Sequence, residues 1–534
     1  WLDGFDSSDE GIKKSAVEGI MLILYSGGVD WKIQAITGIR GDPKNYSYEL
    51  HKAVEYRLIA QLEDEDPGVR IAAIKTLVSH RSGIFEISKL GRQGPDEQKL
   101  EVVKALGVIL KKCSYDDVII AQLKSENSLL CTEAIRALVT LAGSCWKPQE
   151  ERIKEYCSAI LPLLERSDQA VRRDAVVALA DLQYEKVFSV IEPLLKDENP
   201  DVRRAAVQAF MLEGSGEHMS SLIPLLKDDD IKIRLNVIWM MVHTKAVELA
   251  AELVPIAKGV SLEDSVNEGI LQRDEALRLR RAAIRALGYL EQDSYADEVA
   301  GFLASEHLPL RNAAIFALGK MKAIKYADEI APFLSSETDY LQASAALALG
   351  QMEAVDYVEE VVALLDNENY TVLENAIVAL GGMQDATVAP KLAGALKDQL
   401  DSVRLAAAMA LIKLGGEGSL EVFKEVNSDE VHLFCSDIVD YLYRQKGKEY
   451  IPFLAVFLDD SSSGLRSKAI KKVGEVEPHA YKSYFIEGLK SEDSEVRAWS
   501  GIALVEIAKK ELVPPGVKSD IFELIQSLVY SGDD

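Results

Sequence analysis

The side chains best suited to chemistry are few in this sequence and widely scattered. Seven histidines occur, His51, His80, His218, His243, His307, His432 and His479, and none is followed by Glu. An H-E-x-x-H zinc helix is therefore absent, and each lone His reads as a packing or surface group. The five cysteines, Cys113, Cys131, Cys145, Cys157 and Cys435, are odd in number and form no C-x-x-C pair. That argues against a zinc knuckle or a disulfide framework and fits the reduced thiols of a cytoplasmic protein. No G-x-x-x-x-G-K-[ST] loop, no G-x-G-x-x-G after a strand and no G-x-S-x-G elbow is present. Gly415-Gly416-Glu417-Gly418 is glycine-rich but lacks the Lys a phosphate cradle needs, and it reads as a loop between helices. Carboxylates are so abundant that a close Asp/Glu pair carries no message about acid–base work. The expectation is a chain with no catalytic residue, no cofactor and no metal: not an enzyme.

Composition says what kind of elements must carry these side chains. Apolar residues make up 48% of the 534, with aromatics at only 7%, a balance that favours close-packed helices over sheets. Lys and Arg number 60 against 86 Asp and Glu, a net charge of −26. A field of that sign repels phosphate backbones, so no nucleic-acid partner is expected. It keeps the chain soluble and self-repelling, which suits a monomer, and it favours a basic partner. No apolar run is long enough to span a bilayer, so no membrane partner is expected. The sequence opens at Trp1 rather than Met, as a chain trimmed of a leader or anchor would.

A repeat then fixes the architecture. One pattern recurs: apolar residue, often Arg, two variable residues, Ala, aliphatic, variable, Ala, Leu, often Gly. Taking the Arg position as anchor, it falls at Arg172, Arg203 and Arg234, each 31 after the last. It resumes at Arg280, Arg311, Gln342, Leu373, Arg404, Cys435, Arg466 and Arg497 with the same spacing, and weaker copies sit at Lys13, Arg70, Lys99 and Cys131. Each unit reads as a helix pair. Within Ser294–Met321, Val299, Phe302 and Leu303 share one stripe of a first helix over 295–304. Pro309 then opens a second helix from about Leu310 to Met321. Gly288, Gly319, Gly350, Gly381 and Gly474 recur near the end of the second helix, where a small residue serves close approach or helix exit. An Asp stands six residues before many anchors, as in Asp64/Arg70, Asp197/Arg203, Asp228/Arg234, Asp274/Arg280, Asp398/Arg404 and Asp460/Arg466. On stacked hairpins these predict a structural ladder of Asp–Arg hydrogen bonds along the turns.

The motif Asp-x-x-Val-Arg-x-x-Ala-x-x-Ala-Leu-Gly resembles the short HEAT-like repeat of phycobilisome-lyase type. Val202-Arg203-Arg204-Ala205-Ala206 and Leu279-Arg280-Arg281-Ala282-Ala283-Ile284-Arg285-Ala286-Leu287-Gly288 are its best copies. The resemblance covers roughly residues 60 to 510. It implies an all-α fold, an α-α superhelix (α-solenoid) of HEAT-like helical hairpins. It is specific for architecture and weak for function, since such repeats occur in bilin lyases and in scaffolds alike. HEAT-like deoxyhypusine hydroxylases bind iron through His-Glu pairs, and this sequence departs from them at every His.

Breaks in the pattern set the expected domains: irregular N-terminal helical repeats over 1–57, HEAT-like repeats over 58–257, an insertion loop at 258–275, regular repeats over 276–511 and a capping helix at 512–534. Tyr25-Ser26-Gly27-Gly28 and Gly41-Asp42-Pro43 read as turns. Extra residues also sit at Gly143-Ser144-Cys145-Trp146-Lys147-Pro148 and around Gly259, Glu263, Asp264 and Glu268. Both insertions read as loops or lengthened helices.

In HEAT arrays the second helix of each pair lines the concave face. The position five after the anchor points away from the buried stripe, and here it reads Val177, Gln208, Trp239, Arg285, Phe316, Leu347, Val378, Met409, Asp440, Lys471 and Ile502. Asn236, Tyr289, Asn312, Asn375 and Lys413 flank it. Two readings stand: neighbouring second helices bury these groups against each other, or the groups form a partner groove centred on Trp239, Arg285, Tyr289 and Phe316. The groove's contact set would be Asn236, Trp239, Arg285, Tyr289, Asn312, Phe316, Leu347 and Met409. A second aromatic set, Phe434, Tyr441, Tyr443, Tyr450, Phe453 and Phe457, departs from the Ala-rich pattern and reads as packing or as a further contact patch. The expected function is a protein-binding scaffold or adaptor whose partner carries a basic or apolar segment. The alternative is a bilin lyase or lyase-like chaperone acting on a thiol-bearing client.

Overall fold

A computed structural model describes residues 48–80, 82–109, 116–144, 150–213, 218–259, 270–427, 435–444, 448–460 and 462–510, and every regular element among them is helical. The turns expected at 25–28 and 41–43, most of both insertions and the C-terminal capping helix lie outside these residues. The chain divides into two units, Trp1–Thr244 and Lys245–Asp534.

In the first unit the long second helices pack side by side in chain order: α1 (Pro67–His80), α2 (Asp96–Ile109), α3 (Ser128–Ser144), α4 (Gln169–Asp181), α5 (Pro200–Glu213) and α6 (Ile231–His243). The second unit repeats the arrangement with α7 (Ile270–Tyr289), α8 (Leu308–Lys320), α9 (Asp339–Gln351), α10 (Tyr370–Met383), α11 (Asp401–Leu414), α12 (Cys435–Arg444), α13 (Ser463–Val476) and α14 (Ser494–Lys510). The fold is an α-solenoid of HEAT-like hairpins. Helix α7 is longer than expected: Ile270 to Glu275, read from the sequence as insertion loop, begin its 20 residues.

The first helices are shorter than the sequence pattern suggests. The helix expected over 295–304 is a 3-10 turn, Asp293–Tyr295, followed by only five α residues, Ala296–Ala300. Elsewhere a short α segment gives way to a 3-10 turn that opens on x-Pro, as at Glu192–Lys196, Ile223–Lys227 and Ala331–Ser335. The missing proline N–H and its ring block the i−4 bond, so the backbone tightens. The glycine-rich run also differs from expectation. Gly415 and Gly416 take positive φ, and Gly416–Asn427 is itself a helix.

Close approach, not helix exit, explains the recurrent glycine. A Cβ on Gly350 would lie 2.4 Å from Ala379 Cα on the neighbouring α10, and one on Gly288 would lie 2.5 Å from Ala317 Cα on α8. The seam places each glycine on the Ala of the next unit. Helix exit occurs three residues later, at Glu291, Lys322, Glu353 and Gln384, which adopt positive φ without being glycine.

The loop ladder exists, but its rungs run between units. Arg172 grips Asp197 with two bonds, Nε to Oδ2 at 2.8 Å and Nη2 to Oδ1 at 2.8 Å. Its Nη1 donates to the carbonyls of Arg166 and Ser167. Arg203 repeats this with Asp228, and its Nη1 donates to the carbonyl of Asp197 at 2.9 Å. Asp197 and Asp228 thus serve the preceding unit's Arg with their carboxylates, which also accept the backbone N–H two residues on, while Asp197 offers Arg203 only its carbonyl. Burial pushes the Asp197 carboxyl up, but the Arg172 hydrogen bonds and the Asn199 N–H hold it below the ordinary carboxylate value. Gln342 and Asn367 form a neutral rung: Gln342 Nε2 donates to the Ser336 carbonyl at 2.7 Å and Asn367 Nδ2 to Gln342 Oε1 at 3.2 Å. The Asp274/Arg280 pairing fails because Asp274 is an exposed residue within α7. Arg280 Nε donates instead to the Ala257 carbonyl at 3.0 Å.

Candidate partner-binding faces of the second helices

The positions five after each anchor are not core. Val177, Gln208, Trp239, Val378 and Ile502 are exposed, and Arg285, Phe316, Leu347, Met409, Asp440 and Lys471 are half-buried. The reason is local. The Ala and Leu positions of the same helices turn inward and are almost fully buried, as with Ala314, Ile315 and Leu318 on α8. A residue five after the anchor sits on the opposite side of the wheel.

In the first unit, α6 carries Asn236, half-buried, and Trp239, which remains 45% exposed. The Trp239 ring stacks on His243 with centroids 3.4 Å apart, and His243 Nδ1 lies 2.9 Å from the Trp239 carbonyl oxygen. Between α3 and α4 a cavity of about 240 Å³ opens beside Val177, lined by Ile135, Arg136, Val139, Asp174 and Asp181.

In the second unit, Arg285, Tyr289 and Phe316 meet. The Arg285 guanidinium carbon stands 3.8 Å from the Phe316 ring centroid and 5.8 Å from that of Tyr289. The two rings pack edge to face at 5.1 Å. Tyr289 remains 47% exposed. Asn312 reaches the next helix, donating from Nδ2 to Ser344 Oγ at 2.6 Å. Leu347 and Met409 lie on α9 and α11 and join no ring contact of this group. The expected contact set is thus divided, Asn236 and Trp239 in one unit and the rest in the other.

The later aromatic set splits. Phe453 and Phe457 are buried and pack edge to face on Phe423. Tyr443 is half-buried beneath Lys471 and Lys472, and Lys471 also covers Trp499 at 4.3 Å. Phe434 lies outside the described residues. Simple spacing did not point to one further feature, a tyrosine ladder on the first helices. Tyr326 donates to Asp297 and Tyr357 to Asp328. Its signal was present in the recurring Tyr-Ala-Asp-Glu of 295–298 and 326–329.

Cys131 and Cys157 are buried, and burial pushes the Cys157 thiol up to about 11, far from a nucleophilic thiolate. No cluster of His, Cys, Asp and Glu able to hold a metal occurs among the described residues, and no described helix is long and apolar enough to cross a membrane.

The fold is that of a helical-repeat protein. A sequence model of HEAT repeats matches residues 157–241, 268–350, 327–412 and 358–432. No curated protein matches the sequence. Among solved structures the chain is similar to Kap121p bound to Pho4p, with a TM-score of 0.56 at 12% identity, over 99% of this chain and 69% of that one. It is likewise similar to importin beta, at 0.55 and 12% over 99% and 87%. Kap95p with RanGDP gives 0.53 and 10% over 99% and 86%. At such identities the likeness shows the fold alone.

Proposed function

We propose that this chain is a protein-binding scaffold that offers the exposed faces of its second helices to a partner. One observation carries the reading: positions that an Ala-rich repeat could fill with small polar groups hold Trp239, Tyr289, Phe316 and Val378, and these are left partly or largely in water. Trp, Tyr and Arg anchor most protein interfaces. A solenoid of this kind holds Pho4p in the Kap121p complex. A monomeric, cytoplasmic adaptor built on repeats of the phycobilisome-lyase type fits the same features. The bilin-lyase alternative gains nothing from the cavity beside Val177, which is lined by aliphatic and charged groups without an aromatic ring and is smaller than usual ligand pockets.

Photo-crosslinking separates a binding face from an inert one. A benzoylphenylalanine at Phe316 or Trp239 is expected to trap a protein partner, and one at Glu360, on a first helix, is not. Trp239→Ala should weaken the trapped partner by about 2 kcal/mol or more with the melting temperature unchanged. Equal trapping from both sides, or a sharp fall in melting temperature with binding intact, overturns the proposal.

A further inference from the structure

Charge in the first part of the second unit is unevenly spread. Residues 290–307 hold five carboxylates and no Lys or Arg, residues 321–338 hold three with Lys322 and Lys325, and residues 352–369 hold six and no Lys or Arg. From Ala276 to Tyr289, α7 carries Arg278, Arg280, Arg281 and Arg285 with no carboxylate, and α8 carries Arg311 and Lys320 with none. An acidic chain thus presents a basic strip on two adjacent second helices.

The cations of that strip lack the partners their equivalents have in the first unit. There Arg136 pairs with Asp174 at 2.9 Å, and Arg204 pairs with Asp201 and Asp230. Asp174 stands two residues after its anchor, where α8 has Ala313; Asp230 stands four before its anchor, where His307 precedes α8. Among the described residues no carboxylate pairs with Arg278, Arg281, Arg285 or Lys320. Arg278 and Arg281 are exposed. Spacings of three and four residues put Arg278, Arg281, Arg285 and Tyr289 on one side of α7. Phe316 underlies the Arg285 guanidinium, and Lys320 Nζ stands 5.8 Å from the same ring. A guanidinium lying against a ring still offers its N–H fork to a carboxylate.

We propose that Arg278, Arg281, Arg285 and Lys320, with Tyr289 and Phe316, dock an acidic, extended segment of a partner protein; this rests on the scaffold reading and replaces the basic partner suggested by net charge. Arg278 to Tyr289 spans about 16 Å of helix axis, which about five extended residues match. A nucleic acid would offer the same negative charge, but a chain of net charge −26 repels a long polyanion more strongly than a short acidic segment.

The test uses the full chain and three fluorescein-labelled ten-residue peptides, identical except for Glu, Gln or Lys at alternate positions, with an oligothymidylate of equal length beside them. The Glu peptide should bind, and more weakly as salt rises. Arg281→Gln with Arg285→Gln should cost about tenfold or more in affinity. Arg281→Glu with Arg285→Glu should shift preference to the Lys peptide. Should the first pair misfold, Arg278→Gln with Lys320→Gln reads the same loss while leaving Arg285 against Phe316. Equal binding of Glu and Gln peptides, indifference of the Glu peptide to these substitutions, or tighter binding of the oligothymidylate overturns the proposal. Binding of the Lys or Gln peptide alone, lost in Phe316→Ala, sinks the acidic partner but spares the scaffold reading. Failure of all three peptides sinks the acidic partner, and the crosslinking pattern then decides the wider reading.

Discussion

Arg172 is a strong stability determinant because it is spent on two neighbours at once. Its side chain is 9% exposed and that of Asp197 7%, and five hydrogen bonds from Arg172 and Asn199 engage the carboxylate and two carbonyls. Removing the cation strands a buried charge, so Arg172→Ala should lower the unfolding free energy by about 3 kcal/mol, read by urea denaturation. A loss below about 1 kcal/mol would mean water reaches the site. The sign of the pH effect follows from the lowered Asp197 carboxyl. Its contribution is complete above the ordinary carboxylate value and fades as pH falls through the lower folded value. The tyrosine ladder behaves oppositely. Tyr357 is pushed up to about 12 by its hydrogen bond to Asp328, so its support is full below the ordinary phenol value near 10 and is lost as pH rises through the folded one. Ultraviolet titration should show Tyr357 among the late-ionising tyrosines, and Asp328→Asn should reduce the late-ionising fraction by one tyrosine. A late fraction unchanged in that variant contradicts the assignment.

At the scale of the element, the seam between second helices depends on glycine for space. The nearest obstacles to a Cβ at Gly350 are Ala379 Cα at 2.4 Å, Cβ at 2.7 Å and O at 2.8 Å, and none of these can rotate aside. Gly350→Ala should therefore cost about 2 kcal/mol or more and lower the melting temperature. Gly394, with helical φ and nothing within 4 Å of a Cβ, is the control, and Gly394→Ala should be neutral or slightly stabilising. Similar melting shifts in both variants would remove close approach as the reason for the recurrent glycine. The seam was half legible beforehand: the Gly and Ala positions were visible, but approach and exit looked alike. The short first helices were not visible, because a proline ten residues before the anchor at Pro193, Pro224 and Pro332 reads equally as a helix start or as a break.

At the scale of the whole molecule, net charge misdirects. A total of −26 suggests a basic partner, yet from Ala276 onward α7, and all of α8, carry cations without a carboxylate, and among the described residues Arg278, Arg281, Arg285 and Lys320 have no carboxylate partner. Recognition depends on the field at the face that is touched, and screening within about 10 Å leaves distant acids little voice there. By itself the sequence determined the helical hairpins and the direction of their buried stripes, because these follow from the periodicity of a helix and the sizes of its side chains. Only the tertiary structure decided that Asp197 answers Arg172 rather than Arg203, that Gly350 makes room for Ala379, and that Arg285 lies against Phe316 with no carboxylate to claim it. Those are contacts between units. Any repeat of the pattern is compatible with several registers between neighbours, and the distances that select one arise only when the helices pack.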